Sequence, residues 1–449
     1  MNSERDTADG QTEAELRDAE TVRSNVADQV SQPTASDVSD PEMAEAAAFH
    51  DAWETDAQAE AHPAAAPASG PVPSGSRRRG RFGIGLPEAV LWTLGVLLIH
   101  LIGGIVSMVW ILASHVMEAA VPGDPAATQA AVMALFKDQV ALQTLINDNV
   151  LTLLVGEMGI FVLCAVLFSL LRTGRGAGQK LGLTAISAKQ LLLIVGMTVP
   201  LSLVCGTLHQ WTTAGWETFA EQFPALQSMF EGADVNQQLK PLSDQAPLGL
   251  LILVIALAPA IGEEIVFRGV IGRGLVARYG VLPGVIFTSL LFASVHLHPA
   301  HVVALLPLAF LIHYVYLVTR SFWAPVLLHF ANNALAAILL KVSSQLEGTP
   351  LAEDQGLPIW GFVVASVLVG LAVRALWQNR VEYRLPDGDV WSPGYSSVER
   401  PAAETRAIPV RLQGEPVLCG FALASTFLFT GVFAASLVGA LQDAAVLAQ

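Results

Sequence analysis

Charged residues are scarce in this sequence, because Asp, Glu, Lys and Arg together make up only 14% of its 449 residues. A typical soluble domain contains about 25% of these four residues. Hydrophobic residues account for 53% of the chain. This composition excludes an ordinary soluble protein and predicts a chain that is embedded in a membrane.

Cysteine is also rare, and several catalytic motifs are absent. The three cysteines, Cys164, Cys205 and Cys419, show no CxxC spacing, so we predict neither a disulfide framework nor a zinc site from them. No HExxH motif of a zinc protease and no GxSxG elbow of a serine hydrolase occurs. We therefore expect no metal and no cofactor.

The amino-terminal segment has few large apolar side chains. Met1–Gly75 contains 16 acidic residues and 3 arginines, and it carries most of the net charge of −15. Such a segment cannot bury enough apolar surface to offset the entropy of ordering it. We predict that residues 1–83 form a disordered acidic tail with a basic end, and that the chain has no signal peptide, because its start has neither a basic nor an apolar region.

Long apolar runs fill much of the remaining chain. A helix that crosses a hydrocarbon core of about 30 Å needs about 20 mostly apolar residues. Eight or nine runs qualify, at 90–116, 149–171, 190–208, 248–262, 282–297, 301–319, 323–341, 357–376 and 418–441. The predicted fold class is therefore all-α, a polytopic transmembrane helix bundle.

Basic residues indicate the orientation of this bundle. An arginine cluster, Arg77–Arg79 with Arg81, precedes the first run, and cytoplasmic loops are enriched in Lys and Arg. If nine spans are threaded from a cytoplasmic amino terminus, the basic loops at 172–180, 268–278 and 377–416 also lie inside. The acidic loops then lie outside. We predict a multi-pass protein with a cytoplasmic amino terminus.

Three polar clusters interrupt the apolar runs, although an ionisable side chain at bilayer depth costs at least about 2.5 kcal/mol. They are Glu-Glu-Ile-Val-Phe-Arg at 263–268, Phe-Ala-Ser-Val-His at 292–296 and His-Phe-Ala-Asn-Asn at 329–333. Residues four apart share one face of a helix, so we expect Glu264 to pair with Arg268. Glu263 points about 100° away and is left free for another role.

The depths of these clusters follow from the rise of 1.5 Å per residue. Glu263, His329 and Asn333 are expected at roughly 8–15 Å from the cytoplasmic surface, if the fourth span ends near residue 268. His296 is expected deeper, at roughly 20 Å, unless its helix starts late or tilts. The side chains of Glu263, His329 and Asn333 can therefore meet, whereas the expected depth of His296 does not match theirs.

The order and spacing of the three clusters resemble the motif set of the CAAX-protease and bacteriocin-processing family, which are metal-independent intramembrane glutamic endopeptidases. The likeness extends over about 248–340. It implies that Glu263 activates a water molecule, that His296 assists, and that His329 and Asn333 donate hydrogen bonds to the oxyanion. Glu264 and Arg268 complete the implied site.

The resemblance also implies an activity and a location. The expected activity is hydrolysis of peptide bonds in membrane-associated or small peptide substrates, in the plasma membrane of a bacterial cell. The expected partners are such a peptide or membrane-protein substrate and the lipid bilayer, with no nucleic acid, and the oligomeric state is open. The chain divides into transmembrane helices at 84–240, a catalytic core at 241–345 and further helices at 346–449.

Other interpretations of the same residues are open. Buried carboxylates and histidines also occur in proton-coupled transporters, and a scaffold without catalysis would keep the fold. Taken one at a time, the first cluster also fits an ion pair at a helix end, the second an interfacial histidine, and the third hydrogen bonds between helices. Glu157 and His313 could face the same cavity, although a packed or snorkelling side chain is the interpretation that we favour for both.

Overall fold

The computed structural model describes most of the chain beyond the acidic tail. The described residues are 83–120, 124–225, 230, 242–243, 245–346, 357–384, 386, 406–409 and 415–447. The predicted tail, residues 1–83, thus lies outside them except for Gly83, and its predicted disorder stays a prediction. The division into segments at 84–240, 241–345 and 346–449 also stays a prediction.

Twelve helices and one pair of strands have their bounds within the described residues. The helices are α1 Leu86–Ala119, α2 Pro125–Lys137, α3 Gln139–Asp148, α4 Val150–Thr173, α5 Ala177–Leu181, α6 Ala188–Ala220, α7 Leu248–Tyr279, α8 Val281–Ser294, α9 Pro299–Thr319, α10 Trp323–Leu346, α11 Ile359–Gln378 and α12 Glu415–Leu447. The strands are β1 Val381–Arg384 and β2 Arg406–Pro409.

Eight helices of the described chain are long and apolar enough to cross a membrane, namely α1, α4, α6, α7, α9, α10, α11 and α12. The predicted all-α bundle with eight or nine spans is therefore confirmed. The run at 282–297 becomes α8, an apolar helix of 14 residues. At a rise of 1.5 Å per residue it is only about 21 Å long, which is shorter than a comfortable span.

Helix α7 continues past the end that the sequence suggested. Its 32 residues run without a break to Tyr279, so Arg268 and Arg273 lie inside a buried helix and not in a cytoplasmic loop. The prediction of a basic loop at 268–278 is wrong at these two arginines. Arg268 is tolerated at this depth because Glu264 of the same helix supplies a carboxylate, and neighbouring helices supply a carbonyl group and an aromatic ring.

Two π-helical segments, Ile252–Leu257 and Phe267–Gly272, bracket the part of α7 that carries the two glutamates. A π-helical turn changes the register of the side chains around the axis and leaves backbone groups to other partners. The α-helical stretch between these segments, Ala258–Val266, has seven of its nine residues buried, including both glutamates. This stretch therefore holds its carboxylates inside the protein.

Helices α1 and α4 pack closely through small residues. A side chain at Gly103 would lie 3.1 Å from the backbone oxygen of Glu157, and Gly156 lies directly against Ser107. Glycine lets two membrane helices approach each other in this way. The opposite faces of both helices expose leucine, valine and isoleucine side chains, as expected for surfaces that contact lipid.

A short antiparallel ribbon forms where α11 ends. Strand β1 pairs with β2 in the register Val381 with Pro409 and Arg384 with Arg406. The Arg320 guanidinium, at the end of α9, lies 5.8 Å from the Tyr383 ring. The sequence analysis predicted no strands.

Candidate active site

The second glutamate of α7 is held by two cationic or polar partners. One carboxylate oxygen of Glu264, Oε1, accepts hydrogen bonds from Arg268 Nη1 at 3.1 Å and from His329 Nδ1 at 2.8 Å. The Glu264 and Arg268 side chains are fully buried. The predicted pair between Glu264 and Arg268 is confirmed, and the contact with His329 adds a link between α7 and α10.

Arg268 is enclosed on its other sides as well. Its Nη2 donates a hydrogen bond to the Ala309 carbonyl oxygen of α9 at 3.1 Å. The guanidinium carbon lies 4.3 Å from the centre of the Phe292 ring, in the geometry of a cation–π contact. Arg268 therefore joins three helices, α7, α8 and α9, around the Glu264 carboxylate.

Glu263 has a different environment from its neighbour. It is 9% exposed, and its side chain makes no hydrogen bond with any described residue, whereas Glu264 leaves only its Oε2 without one. Its carboxylate interacts electrostatically with His329, His100, Glu264 and Arg268. Of the two adjacent carboxylates, Glu263 is thus the one that remains available to a water molecule or a substrate.

The connection between α8 and α9 brings His296 to the same region. The Phe292 ring lies 5.8 Å from the His296 ring and 5.6 Å from the His329 ring, measured between centroids. Leu297, the next residue, has a left-handed backbone with φ of 60°, which is uncommon for a residue other than glycine and marks a tight turn. This turn ends the short helix α8 beside the site.

The expected mismatch in depth between Glu263 and His296 is wrong, and the length of α7 explains why. Because α7 continues to Tyr279, Glu263 lies 16 residues before its end, or about 24 Å along the helix. His296 lies 15 residues after the start of α8 at Val281, which corresponds to about 22 Å. The two side chains therefore lie at similar distances from the sharp turn at Gly280.

Asn333 is held by a chain of polar side chains that the sequence analysis missed. Its Nδ2 donates to the Ile255 carbonyl oxygen at 3.3 Å, within the first π-helical segment of α7. Its Oδ1 accepts from Asn332 Nδ2 at 3.3 Å, and Ser202 Oγ of α6 donates to Asn332 Oδ1 at 2.8 Å. One of the two Nδ2 hydrogens of Asn333 is engaged in this chain, and the other is left for a further acceptor.

The part of the chain that carries these side chains matches a known protein family. Residues 245–335 match a family model described as type II CAAX prenyl endopeptidase Rce1-like. This segment is similar to that family, and residues 245–335 are called the Rce1-like domain below. It contains all six predicted site residues, namely Glu263, Glu264, Arg268, His296, His329 and Asn333. The match supports a membrane endopeptidase, which is a hydrolase. Neither the curated proteins nor the solved structures that were compared with the chain give a match.

Two ionisable residues outside the Rce1-like domain approach the same site. His100 of α1 and Glu157 of α4 lie 3.0 Å apart, from Nδ1 to Oε1, and the His100 ring stacks on Phe161 at 4.2 Å. From the sequence, Glu157 could face the same cavity, although a packed or snorkelling side chain was favoured, and His100 was not considered. The signal was present, because each is an ionisable residue within an apolar run.

His313 is fully buried and lies against Gly272 in the second π-helical segment, which agrees with the packed side chain that we favoured. Across the part of the chain that the structure describes, no three His, Cys, Asp or Glu side chains are grouped so that they could hold a metal ion.

Proposed function

We propose that the protein hydrolyses peptide bonds within the membrane and that Glu263 activates the attacking water. The observation that carries this proposal is the unequal environment of two adjacent carboxylates. Glu264 accepts hydrogen bonds from Arg268 and His329 through Oε1 and leaves only its Oε2 without a partner, whereas the Glu263 side chain forms no hydrogen bond with any described residue. A base must reach a water molecule, so the unengaged carboxylate is the suitable one.

In the proposed reaction, the Glu263 carboxylate takes a proton from water while the water oxygen bonds to the scissile carbonyl carbon. The carbonyl electron pair moves onto its oxygen and forms the tetrahedral intermediate. The bond between carbon and nitrogen then breaks as the amine nitrogen takes the proton from Glu263. The products are a carboxylic acid and an amine, and the base is restored. His296 assists by accepting a hydrogen bond from the water or by donating one to it.

His329 and Asn333 are the proposed donors to the oxyanion. His329 uses Nδ1 for its bond to Glu264, so only Nε2 of a doubly protonated ring serves the oxyanion. Asn333 has one Nδ2 hydrogen engaged by Ile255 and uses the other. Donors that are fixed before the reaction cost no reorganisation, and removal of one such donor typically costs about 3–4 kcal/mol of transition-state stabilisation.

An apolar groove between α4 and α7 supports a substrate that carries a hydrocarbon chain or an apolar helix. Its volume is about 560 Å³, and its lining residues include Met158, Gly159, Val162, Leu257 and Ile261. Ile261 precedes Glu263 by two residues, so the groove runs alongside the part of α7 that carries the proposed base. We propose that the apolar part of a membrane-associated peptide lies in this groove.

Cleavage of a peptide library by the purified full chain in lipid nanodiscs tests the proposal. The library contains peptides with and without a covalent lipid, and the reaction is run in water enriched in oxygen-18. We expect cleaved peptides with one oxygen-18 atom in the new carboxylate, because water supplies that oxygen. Binding without cleavage would contradict the proposal and favour a scaffold. Uptake of intact peptide into sealed proteoliposomes would favour a transporter.

A further inference from the structure

A polar pair joins the two helices that lie outside the Rce1-like domain. His100 Nδ1 of α1 and Glu157 Oε1 of α4 are 3.0 Å apart, and about a quarter of the His100 side chain and a fifth of the Glu157 side chain are exposed. Both residues lie in the middle of apolar helices, where an ionisable side chain calls for a functional or structural reason.

Phe161 connects this pair to the proposed base. The His100 ring stacks on the Phe161 ring with their planes 27° apart. Phe161 also contacts Gly262 of α7, where an added Cβ atom would come within 2.5 Å of the Phe161 ring. Gly262 directly precedes Glu263, so the buried Phe161 ring touches both His100 and the residue next to the proposed base.

His100 also interacts electrostatically with two residues of the proposed site. These are Glu263 and His296, and the other charged or titratable groups around Glu263 are His329, Glu264 and Arg268. Charges interact more strongly inside a protein than in water, because the effective dielectric constant is lower there. A positive charge on His100 would therefore stabilise the Glu263 carboxylate.

We propose that His100 and Glu157 form an accessory dyad that positions and stabilises the Glu263 carboxylate, so that the functional site extends beyond the Rce1-like domain. The inference rests on the proposed function of Glu263. Glu157 accepts the Nδ1 hydrogen of His100, which fixes the tautomer and the plane of the ring. A positive charge on the ring would offset the repulsion that Glu264 exerts on the Glu263 carboxylate. Both members of the dyad are positioning residues.

A purely structural role for the pair would be to hold α1 against α4. The chain contains a matched pair that does only this. Arg172 Nε and Glu88 Oε1 are 2.8 Å apart and join the same two helices, with about 40% of each side chain exposed. Glu88 lies 12 residues before His100, or about 18 Å along α1. Glu88→Gln is therefore the control for loss of a link between the helices.

The first test needs no substrate. The full chain is labelled with nitrogen-15 at histidine and reconstituted in lipid, and the ring resonances of His100 are assigned through their loss in His100→Gln. We expect these resonances to shift in Glu157→Gln and in Glu263→Gln, because each removes a negative charge near the ring. They should not move in Glu88→Gln. Unchanged resonances in Glu263→Gln would overturn the proposal, because the dyad would not sense the base.

The second test measures turnover with a peptide that the wild-type chain cleaves. We expect kcat to fall about 10-fold to 100-fold in His100→Gln and in Glu157→Gln, which is the loss typical when a residue that orients a metal ligand through a hydrogen bond is replaced. KM should change by no more than about twofold, because a positioning residue does not bind the substrate. Glu157→Asp should recover part of the loss, and Glu88→Gln should keep full turnover. Equal losses in Glu88→Gln would overturn the dyad. If the wild-type chain cleaves no peptide, the proposed function fails, and the resonance comparison still decides whether His100 senses Glu263.

Discussion

At the scale of single residues, the site depends on two adjacent glutamates that have opposite surroundings. Glu264 is fully buried and bonded to Arg268 and His329, and it joins the arginine to a second helix. Glu263 is nearly as buried, but its carboxylate forms no hydrogen bond with any described residue, whereas Glu264 leaves only one oxygen, Oε2, unengaged. The sequence predicted the pair between Glu264 and Arg268 from their spacing alone. It could not predict the bond from His329, because that bond depends on how α7 and α10 pack.

Glu264→Gln should destabilise the protein. The substitution removes the charge that neutralises buried Arg268, and breaking such a buried pair costs about 3–5 kcal/mol. Denaturant unfolding of the purified chain in detergent measures this change. Arg172→Gln, which breaks an exposed ion pair, serves as the control and should cost at most about 1 kcal/mol. Equal stability of Glu264→Gln and the wild type would show that Arg268 does not depend on Glu264.

Asn333→Ala should lower kcat by about 10²–10³-fold and leave KM nearly unchanged, because an oxyanion donor acts mainly in the transition state. Ser202→Ala removes the far end of the same polar chain and should have a smaller effect on kcat. Steady-state kinetics on one cleaved peptide measures both. A rise in KM with unchanged kcat in Asn333→Ala would instead indicate a residue that binds the substrate.

At the scale of the helices, the long helix α7 is the element that assembles the site. The sequence predicts a span that ends near residue 268, because a basic loop with Arg268, Arg273 and Arg278 is expected there. The helix continues because α8 and α9 provide partners for Arg268 inside the protein. Hydropathy is calculated from consecutive residues and contains no information about partners on other helices. The length predicted for α7 was therefore too short, and the depth predicted for Glu263 was too small.

The groove between α4 and α7 gives a prediction at this scale. Gly159 lines the groove, and nothing lies within 4 Å of a side chain added there, so Gly159→Leu should fill the groove without a clash. We expect a higher KM for a lipid-bearing peptide and an unchanged KM for the same peptide without the lipid. Gly206→Leu on α6, also in open space, is the control. Equal KM values in all three proteins would exclude the groove from substrate binding.

At the scale of the whole molecule, composition and apolar runs predicted the all-α fold and the number of spans, since these depend on length and hydropathy along the chain. The six predicted site residues all fall in the Rce1-like domain. The contact between His100 of α1 and Glu157 of α4 was not predicted, because the two residues are 57 positions apart in the sequence and meet only through helix packing. The ribbon of β1 and β2 was missed because its strands have four residues each.

The orientation of the molecule is a prediction from the distribution of positive charge. In a background without native cysteines, Gln222→Cys should react with an impermeant thiol reagent added outside the cell, because it follows α6 on the acidic side. Arg175→Cys, on the basic side after α4, should react only once the membrane is permeabilised. Both positions are exposed in the structure. The reverse labelling pattern would place the amino terminus outside.

The assignment of the base to Glu263 is tested most directly by the cleavage rate of Glu263→Gln in the full chain, reconstituted in lipid with a peptide that the wild type cleaves. The substitution keeps the volume and most of the hydrogen-bonding capacity but removes the base, so we expect turnover to fall by at least about 10²–10⁴-fold with an unchanged free energy of unfolding. Full activity in Glu263→Gln would contradict the account. A well-folded but inactive Glu264→Gln beside it would reassign the base to Glu264.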